Sequence, residues 1–332
     1  MIIESFKIKA EGSGDNATLR TYIVDSSEYF EYSRRPMVFI CPGGGYEFVS
    51  HKEGEPLALQ FTAMGYHAAV LTYSVKPAVY PTQLLEIAQA WKIIRENADR
   101  WNVLTDKIII MGGSAGGHLA ASYGIFSGED FICRSVGLTA QELRPAGMIL
   151  CYPVISSGVY AHRGSFEALL GVPYGENKEM LEKMSLEKQV TENTPPAFIW
   201  HTFTDNVVPS ENSMLFAMAL KEKGVNCELH IFPDGGHGLA LANEFTQDKG
   251  GYGIQRECVV WIELVKTWLG NKFGFGEFFG ILYPHRDLCC GYFKKVLILM
   301  CIISNRICAK QHICQQMSQT EIFFEKPLDF SC

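Results

Sequence analysis

Residues 107–120 read KIIIMGGSAGGHLA, four glycines around one serine, behind an apolar run and ahead of a helix-forming segment. Such a cluster either wraps a phosphate or turns the chain sharply enough to display a nucleophile, and spacing separates the two. A dinucleotide fingerprint needs G-x-G-x-x-G, and a P-loop needs G-x-x-x-x-G-K-[ST]. Here the order is Gly112-Gly113-Ser114-Ala115-Gly116-Gly117 with no lysine after it, so neither template fits. Gly112, Ser114 and Gly116 do fit G-x-S-x-G, a strained strand-to-helix turn that pushes the serine oxygen out over the end of a sheet. A glycine two residues to either side removes the Cβ atoms that would collide in so tight a turn. The helix that follows aims its positive end at the serine and favours negative charge developing there.

Outward from this turn the chain alternates apolar strands and amphipathic helices. SFKIKA and TLRTYIV read as short strands in a polar setting, an antiparallel edge. PMVFICPGGGY (36–46) is a buried-type run ending in proline and three glycines, followed by a helix that closes at Gly65 and the apolar run HAAVLTY (67–73). Over 82–99, Leu84, Ile87, Trp91, Ile94 and Ala98 recur at helical spacing behind Pro81 and Thr82. Strand 107–112, a helix from Ser114, strands 147–154 and 197–203, a helix over 209–223 stopped by Gly224, the half-polar strand VNCELHIF (225–232) and a helix over 255–270 complete the rhythm. Alternation of this kind predicts an α/β fold with a mostly parallel central sheet and helices on both faces. Residues 155–195 hold short helix-like pieces between two strands and read as a small cap insertion.

A serine needs a base, and the base needs an orienting carboxylate; on a sheet of this type the chain order is serine, acid, histidine. FPDGGHGL offers His237 in a flexible loop after the half-polar strand, and HTFTDNVVP offers Asp205 at the carboxyl end of the preceding strand. Both lie where functional groups of parallel sheets gather. The other candidates fit less well. His230 lies on the polar face of a strand and reads as a solvated surface residue. His201 sits inside an apolar strand, as a satisfied core residue does. His118 comes one turn after Ser114, too soon to be its base, and packs beneath the turn. Asp234 shapes its own loop. For Asp205 the competing role is the N-cap region of the helix beyond Pro209. Acyl transfer also needs oxyanion donors: the N–H of Ala115 is one, and Gly44 and Gly45 of CPGGGY can bring bare N–H groups close to the substrate. Tyr46, Tyr80 and Tyr152 could stack on a sugar or belong to the core.

The remaining composition narrows the class. With 332 residues, 47% hydrophobic and 20% charged, the chain can bury a large core in one domain over 1–272. A net charge of −7 without a basic cluster argues against nucleic acid or anionic membrane as a partner. MIIESFKIKAEG lacks the pattern of a signal peptide, and the longest apolar run near the end, VLILMCIIS (296–304), is about half a membrane span. The expected location is the cytoplasm, and neither metal nor organic cofactor is expected. Six of the eleven cysteines crowd into 273–332. Among them Cys301, Cys308, His312 and Cys314 contain no C-x-x-C pair and match no zinc framework, so chance clustering is the better reading. This Cys-rich tail loses all periodicity; a divergent appendage, a disordered tail and read-through in an altered frame stay open, the last accounting best for the composition shift.

FICPGGGYEFVS, YPTQLLEIAQAWKIIRENADRW, IIIMGGSAGGHLAA, HTFTDNVVP and FPDGGHG together resemble the α/β-hydrolase esterases of the hormone-sensitive-lipase and acetylxylan-esterase-like group, in register over about residues 18–270. The resemblance implies Ser114 as nucleophile, His237 as general base and acid, Asp205 as its partner, and Gly44, Gly45 and Ala115 as oxyanion donors. Pro42 stands where the lipase branch has histidine, which favours the acetylxylan-esterase-like branch; the tail has no counterpart. The expected activity is hydrolysis of short acyl esters without a cofactor, such as acetyl groups on xylo-oligosaccharide. The rivals are a prolyl-oligopeptidase-like serine peptidase and a non-catalytic binding member of the fold. Oligomeric state is not legible.

Overall fold

The computed structural model describes residues 1–27, 29 and 33–274. Its strands are β1 (Ile2–Lys7), β2 (Thr18–Ile23), β3 (Arg35–Cys41), β4 (His67–Thr72), β5 (Val103–Gly113), β6 (Gly147–Cys151), β7 (Ala197–Thr202) and β8 (Cys227–Phe232). The helices are α1 (Glu55–Ala63), α2 (Thr82–Glu96), α3 (Ala98–Trp101), α4 (Ser114–Phe126), α5 (Asp130–Val136), α6 (Ala140–Leu143), α7 (Arg163–Leu170), α8 (Lys178–Lys183), α9 (Glu211–Glu222) and α10 (Trp261–Phe273). The strands form an eight-stranded sheet in the order β1-β2-β4-β3-β5-β6-β7-β8. β1 and β2 make the antiparallel edge, and β3 to β8 run parallel.

The apolar runs of β3 and β5 are continuous because both of their faces are covered. Met37, Phe39, Ile108 and Ile110 face one core with Leu84 and Trp91 of α2, Leu119 and Tyr123 of α4, and Phe216 of α9. Val38, Ile40, Ile109 and Met111 face the other, with Leu57 and Phe61 of α1 and Trp261, Val265 and Trp268 of α10. Successive strand residues therefore alternate between two buried layers rather than between core and water.

Strand order places the site. β3 lies between β4 and β5, so the chain leaves β3 through α1 to one neighbour and returns through α2 to the other. The connections after β3 and β5 consequently diverge to opposite faces, which opens a crevice at the carboxyl ends of these two strands. The PGGG loop follows β3, and Ser114 follows β5.

Two elements differ from the sequence expectation. α10 starts at Trp261 instead of near 255 and runs past Gly270 to Phe273. Residues 255–260 turn instead, because their polar groups serve the preceding loop: Gln255 N–H donates to Ala242 O and the Cys258 thiol to Asp234 O. β8 is half-buried along its whole length rather than along one face, as befits an edge strand, and His230 there is bonded to Glu228 at 2.9 Å. Tyr46 and Tyr152 are each 1% exposed and belong to the core. The Cys-rich tail and its Cys301–Cys308–His312–Cys314 group lie outside the described residues. Among those described, no helix is long and apolar enough to cross a membrane.

Two buried histidines give the fold a pH dependence. His67 accepts from Val24 N–H and donates to Asn102 O; His118 pairs with Tyr46 Oη and donates to Met184 O. Burial pushes both down to about 4 from 6.5. The unfolded chain therefore takes up two protons as pH falls below 6.5 that the folded chain refuses until about pH 4, and stability is lost across that window. From pH 7 to pH 5 the two together cost about 4 kcal/mol. Urea midpoints across this range measure the loss, and a flat profile contradicts it.

Candidate active site

Ser114 opens α4 with a φ of 54°, a left-handed conformation that serine adopts only when its surroundings hold it there. Its glycines show what holds it. A Cβ on Gly112 would stand 2.0 Å from Gly116 O, and one on Gly116 would stand 2.1 Å from Cys41 O at the end of β3. The start of α4 thus packs directly against β3 and β5 backbone, which only glycine permits. Ser114 O accepts from Val154 N–H at 3.0 Å, tying the turn to the end of β6.

Asp205 and His237 arrive from the ends of β7 and β8. His237 Nε2 lies 2.7 Å from Ser114 Oγ, and His237 Nδ1 lies 2.7 Å from Asp205 Oδ2. A carboxylate only accepts, so the ring proton sits on Nδ1 and leaves Nε2 bare to accept from the serine hydroxyl. Asp205 Oδ1 accepts from the N–H groups of Val207 and Val208 at 2.9 and 3.0 Å. The role weighed against catalysis, shaping the turn before α9, is therefore filled by the other oxygen of the same carboxylate. Burial would raise the Asp205 carboxyl, but hydrogen bonds from His201 and His237 and the Val207 N–H hold it well below the ordinary carboxylate range.

The loop that carries Gly44 and Gly45 runs beside the same serine, which Ala115 follows in the chain. Gly44 and Gly45 have φ of 128° and 66°. Gly43 O and Gly44 O both accept backbone N–H groups, from Ser50 and from Glu47 and Phe48. The N–H groups of Gly44, Gly45 and Ala115 have no acceptor among the described residues. A Cβ on Gly43 would lie 3.0 Å from Ser114 Cβ, so this loop runs directly beside the serine.

Four contributors are not evident from the sequence. His201 is a satisfied core residue, as read, but one of its partners is Asp205: Nε2 donates to Asp205 Oδ2 (3.2 Å) and Val208 O (2.9 Å), while Nδ1 accepts from Ser213 Oγ. Tyr252 donates to His237 O at 2.7 Å and fixes the histidine loop. His162, from the segment before α7, pairs with Ser165 Oγ at 2.8 Å; burial and the nearby His237 hold it below its usual value. Glu53 is 3% exposed and binds both Gly43 N–H and Tyr152 Oη. His118 does pack beneath the serine turn. It holds Tyr46 of the glycine loop against α4 and reaches Met184 in the 155–195 segment.

The chain is similar to known proteins. A xylanase B of Butyrivibrio fibrisolvens is 41% identical over 66% of this chain and 35% of its own length. An acetylxylan esterase of Xylanibacter ruminicola is 30% identical over 61% of this chain and 41% of its own. The chain thus spans roughly two fifths or less of these curated relatives. Among solved structures, an acetyl ester-xyloside bifunctional hydrolase from Caldicellulosiruptor lactoaceticus is similar with a TM-score of 0.66 and 37% identity over 78% of this chain and 89% of that one. A carboxylesterase from Lactobacillus plantarum gives 0.70 and 29% over 82% and 98%. The fold is that of the α/β-hydrolases. Residues 28–220, more than half of the chain and including Ser114 and Asp205, match the BD-FAE family model, and the chain belongs to the BD-FAE family.

Proposed function

We propose that the chain is a serine carboxylic-ester hydrolase that removes short acyl groups, acetyl above all, from carbohydrate such as acetylated xylo-oligosaccharide. The observation that carries this is the unbroken line Asp205–His237–Ser114, with 2.7 Å at both links to the imidazole, beside three unpaired N–H groups. His237 takes the serine proton as Oγ attacks the ester carbonyl. The N–H groups of Gly44, Gly45 and Ala115 hold the oxyanion, and the imidazolium returns its proton to the departing alcohol. Water then attacks the acyl-serine with the same base. Losing one oxyanion donor costs on the order of 100-fold in turnover. No metal or organic cofactor enters this cycle.

Substrate class is supported by the relatives, three of which carry xylan, xylanase or xyloside in their names. We take residues 1–272 as the catalytic domain and 155–195, with α7 and α8, as its small cap. Ser165 of the cap lies 3.9 Å from the position a Cβ on Gly45 would take, so the cap borders the oxyanion loop. The small size of this cap is the ground on which we take the acyl group to be short. The five described cysteines are free thiols, which suits a reducing compartment, the cytoplasm.

The test is a panel: p-nitrophenyl acetate, p-nitrophenyl octanoate, acetylated xylo-oligosaccharide and a prolyl peptide amide. The expected order of kcat/KM is acetyl above octanoyl by at least about 10-fold, with the oligosaccharide deacetylated and the amide uncut. Cleavage of the amide at comparable rate selects the peptidase reading. Inertness toward every ester selects a binding role.

A further inference from the structure

Glu53 stands in a single 3-10 turn, His51–Glu53, between the glycine loop and α1, and only 3% of it is exposed. Oε2 accepts the Gly43 N–H at 2.7 Å and Oε1 accepts the Tyr152 hydroxyl at 2.6 Å. Both oxygens accept, so the group stands there as a carboxylate. Among the described residues, none of its hydrogen bonds comes from a lysine or arginine. The titratable groups that feel its charge, Tyr152, Tyr73 and Cys151, are all kept neutral by burial. A carboxylate taken out of water with two neutral donors and no cation is costly to keep. Two glycines make room for it: a Cβ on Gly43 would lie 2.7 Å from Oε2, and one on Gly113 would lie 2.8 Å from Oε1.

Each of its two bonds leads to a different part of the site. Gly43 is held at both ends of its backbone, N–H to Glu53 and O to Ser50 N–H. This fixes the chain direction from which Gly44 and Gly45 present their free N–H groups. Tyr152 in turn accepts from Ala240 N–H at 2.9 Å, just beyond His237 in the same loop. The Tyr152 ring meets the His237 ring edge-on, with centroids 5.3 Å apart. One carboxylate therefore ties the loop after β3 to the loop after β8, across the serine turn.

We propose that Glu53 is a positioning residue for the ester hydrolysis, aligning the oxyanion N–H groups and the His237 loop with each other through Gly43 and Tyr152. The proposal rests on the Ser114–His237–Asp205 reading. Its charge also stands one tyrosine away from the ring that becomes an imidazolium, and so favours that ion. The other groups facing His237 are Asp205, His162 and Tyr152.

The experiment compares Glu53→Gln, Glu53→Asp and Tyr152→Phe with wild type on p-nitrophenyl acetate. It follows kcat, KM and the pH profile of kcat/KM, with melting temperature recorded for each. A glutamine still accepts from Gly43 but turns an N–H toward a hydroxyl that must then find another acceptor. Expected for it is a kcat lower by about 10- to 100-fold with KM within about 2-fold, the mark of an interaction made in the transition state. The acidic limb moves to lower pH by about half a unit, since a neutral neighbour no longer favours the imidazolium. The shorter aspartate keeps the charge but cannot span both partners, so kcat falls and the limb stays. Tyr152→Phe cuts only the histidine side and lowers kcat by a smaller factor. If Glu53→Gln does not fold, the aspartate and phenylalanine variants decide alone. Folded variants with wild-type kcat and an unmoved limb overturn the proposal. A wild type without esterase activity, or one indifferent to loss of Ser114, overturns the underlying reading instead.

Discussion

Ser114→Ala lowers turnover of a short acyl ester by about 10⁴- to 10⁶-fold, while the protein stays folded and still binds the ester. The size follows from the order of events. Without Oγ no acyl-enzyme forms, and hydrolysis falls back on water attacking a carbonyl that the oxyanion N–H groups still polarise. The fold survives because alanine bears the same φ of 54° no worse than serine does, and the packing of Gly112 and Gly116 against β3 is untouched. What is lost is one hydrogen bond, Oγ to His237 Nε2, worth about 1 kcal/mol. His237→Ala should lower kcat by a comparable factor, and the double variant should be little worse than either single one, because serine and histidine act as one unit. Turnover of p-nitrophenyl acetate, corrected for spontaneous hydrolysis, measures all three. Residual activity within about 10-fold of wild type in either single variant places the nucleophile elsewhere.

The parts of this site that could be read from the sequence are those whose chemistry and chain position coincide locally. Gly112-Gly113-Ser114-Ala115-Gly116-Gly117 carries its own geometric explanation, and Asp205 and His237 stand at strand ends in the required order. Glu53 and His201 were not legible as contributors, because their meaning lies in partners far along the chain. Gly43, Tyr152 and Ala240 come together around Glu53 only once β3, β6 and β8 are laid side by side. His201 lies four residues before Asp205, but a histidine in an apolar strand gives no sign of which way its ring nitrogens point. Tyr46 and Tyr152 fit either a core or a sugar platform until burial decided the matter. At the level of the fold, the alternating layers of β3 and β5 were plain from their unbroken apolar runs. Gly270 does not end α10, because it has open space around it and interrupts nothing; the helix stops at Gly274, with a φ of 60°. Thr139-Ala140-Gln141-Glu142 is a capping box, and its reciprocal bonds do open α6.

The second large effect belongs to Asp205→Asn, for which kcat should fall by about 10⁴-fold. Four donors converge on this carboxylate, Val207 and Val208 N–H on Oδ1 and His237 and His201 on Oδ2. An amide keeps one accepting oxygen. If that oxygen stays with the two backbone N–H groups, the NH₂ group faces His237 Nδ1 and His201 Nε2. His201 tolerates this, since its Nε2–H still has Val208 O at 2.9 Å. His237 does not, because its Nδ1 must turn from donor to acceptor and the ring proton moves to Nε2, where it blocks acceptance of the serine proton. Stability falls as well. A carboxyl held below its ordinary 3.8 contributes stability that is fully present above that value and is lost only as pH falls through the lower folded value. The deficit of the asparagine variant should therefore be constant from neutral pH down to about 4 and narrow only below it. Two measurements decide the case. Nitrogen-15 spectra of His237 should show the proton on Nδ1 in wild type and on Nε2 in the variant, and kcat on a short acyl ester should fall in step. A variant that retains the wild-type tautomer and loses less than about 10-fold in kcat removes Asp205 from the mechanism and leaves it as the turn before α9.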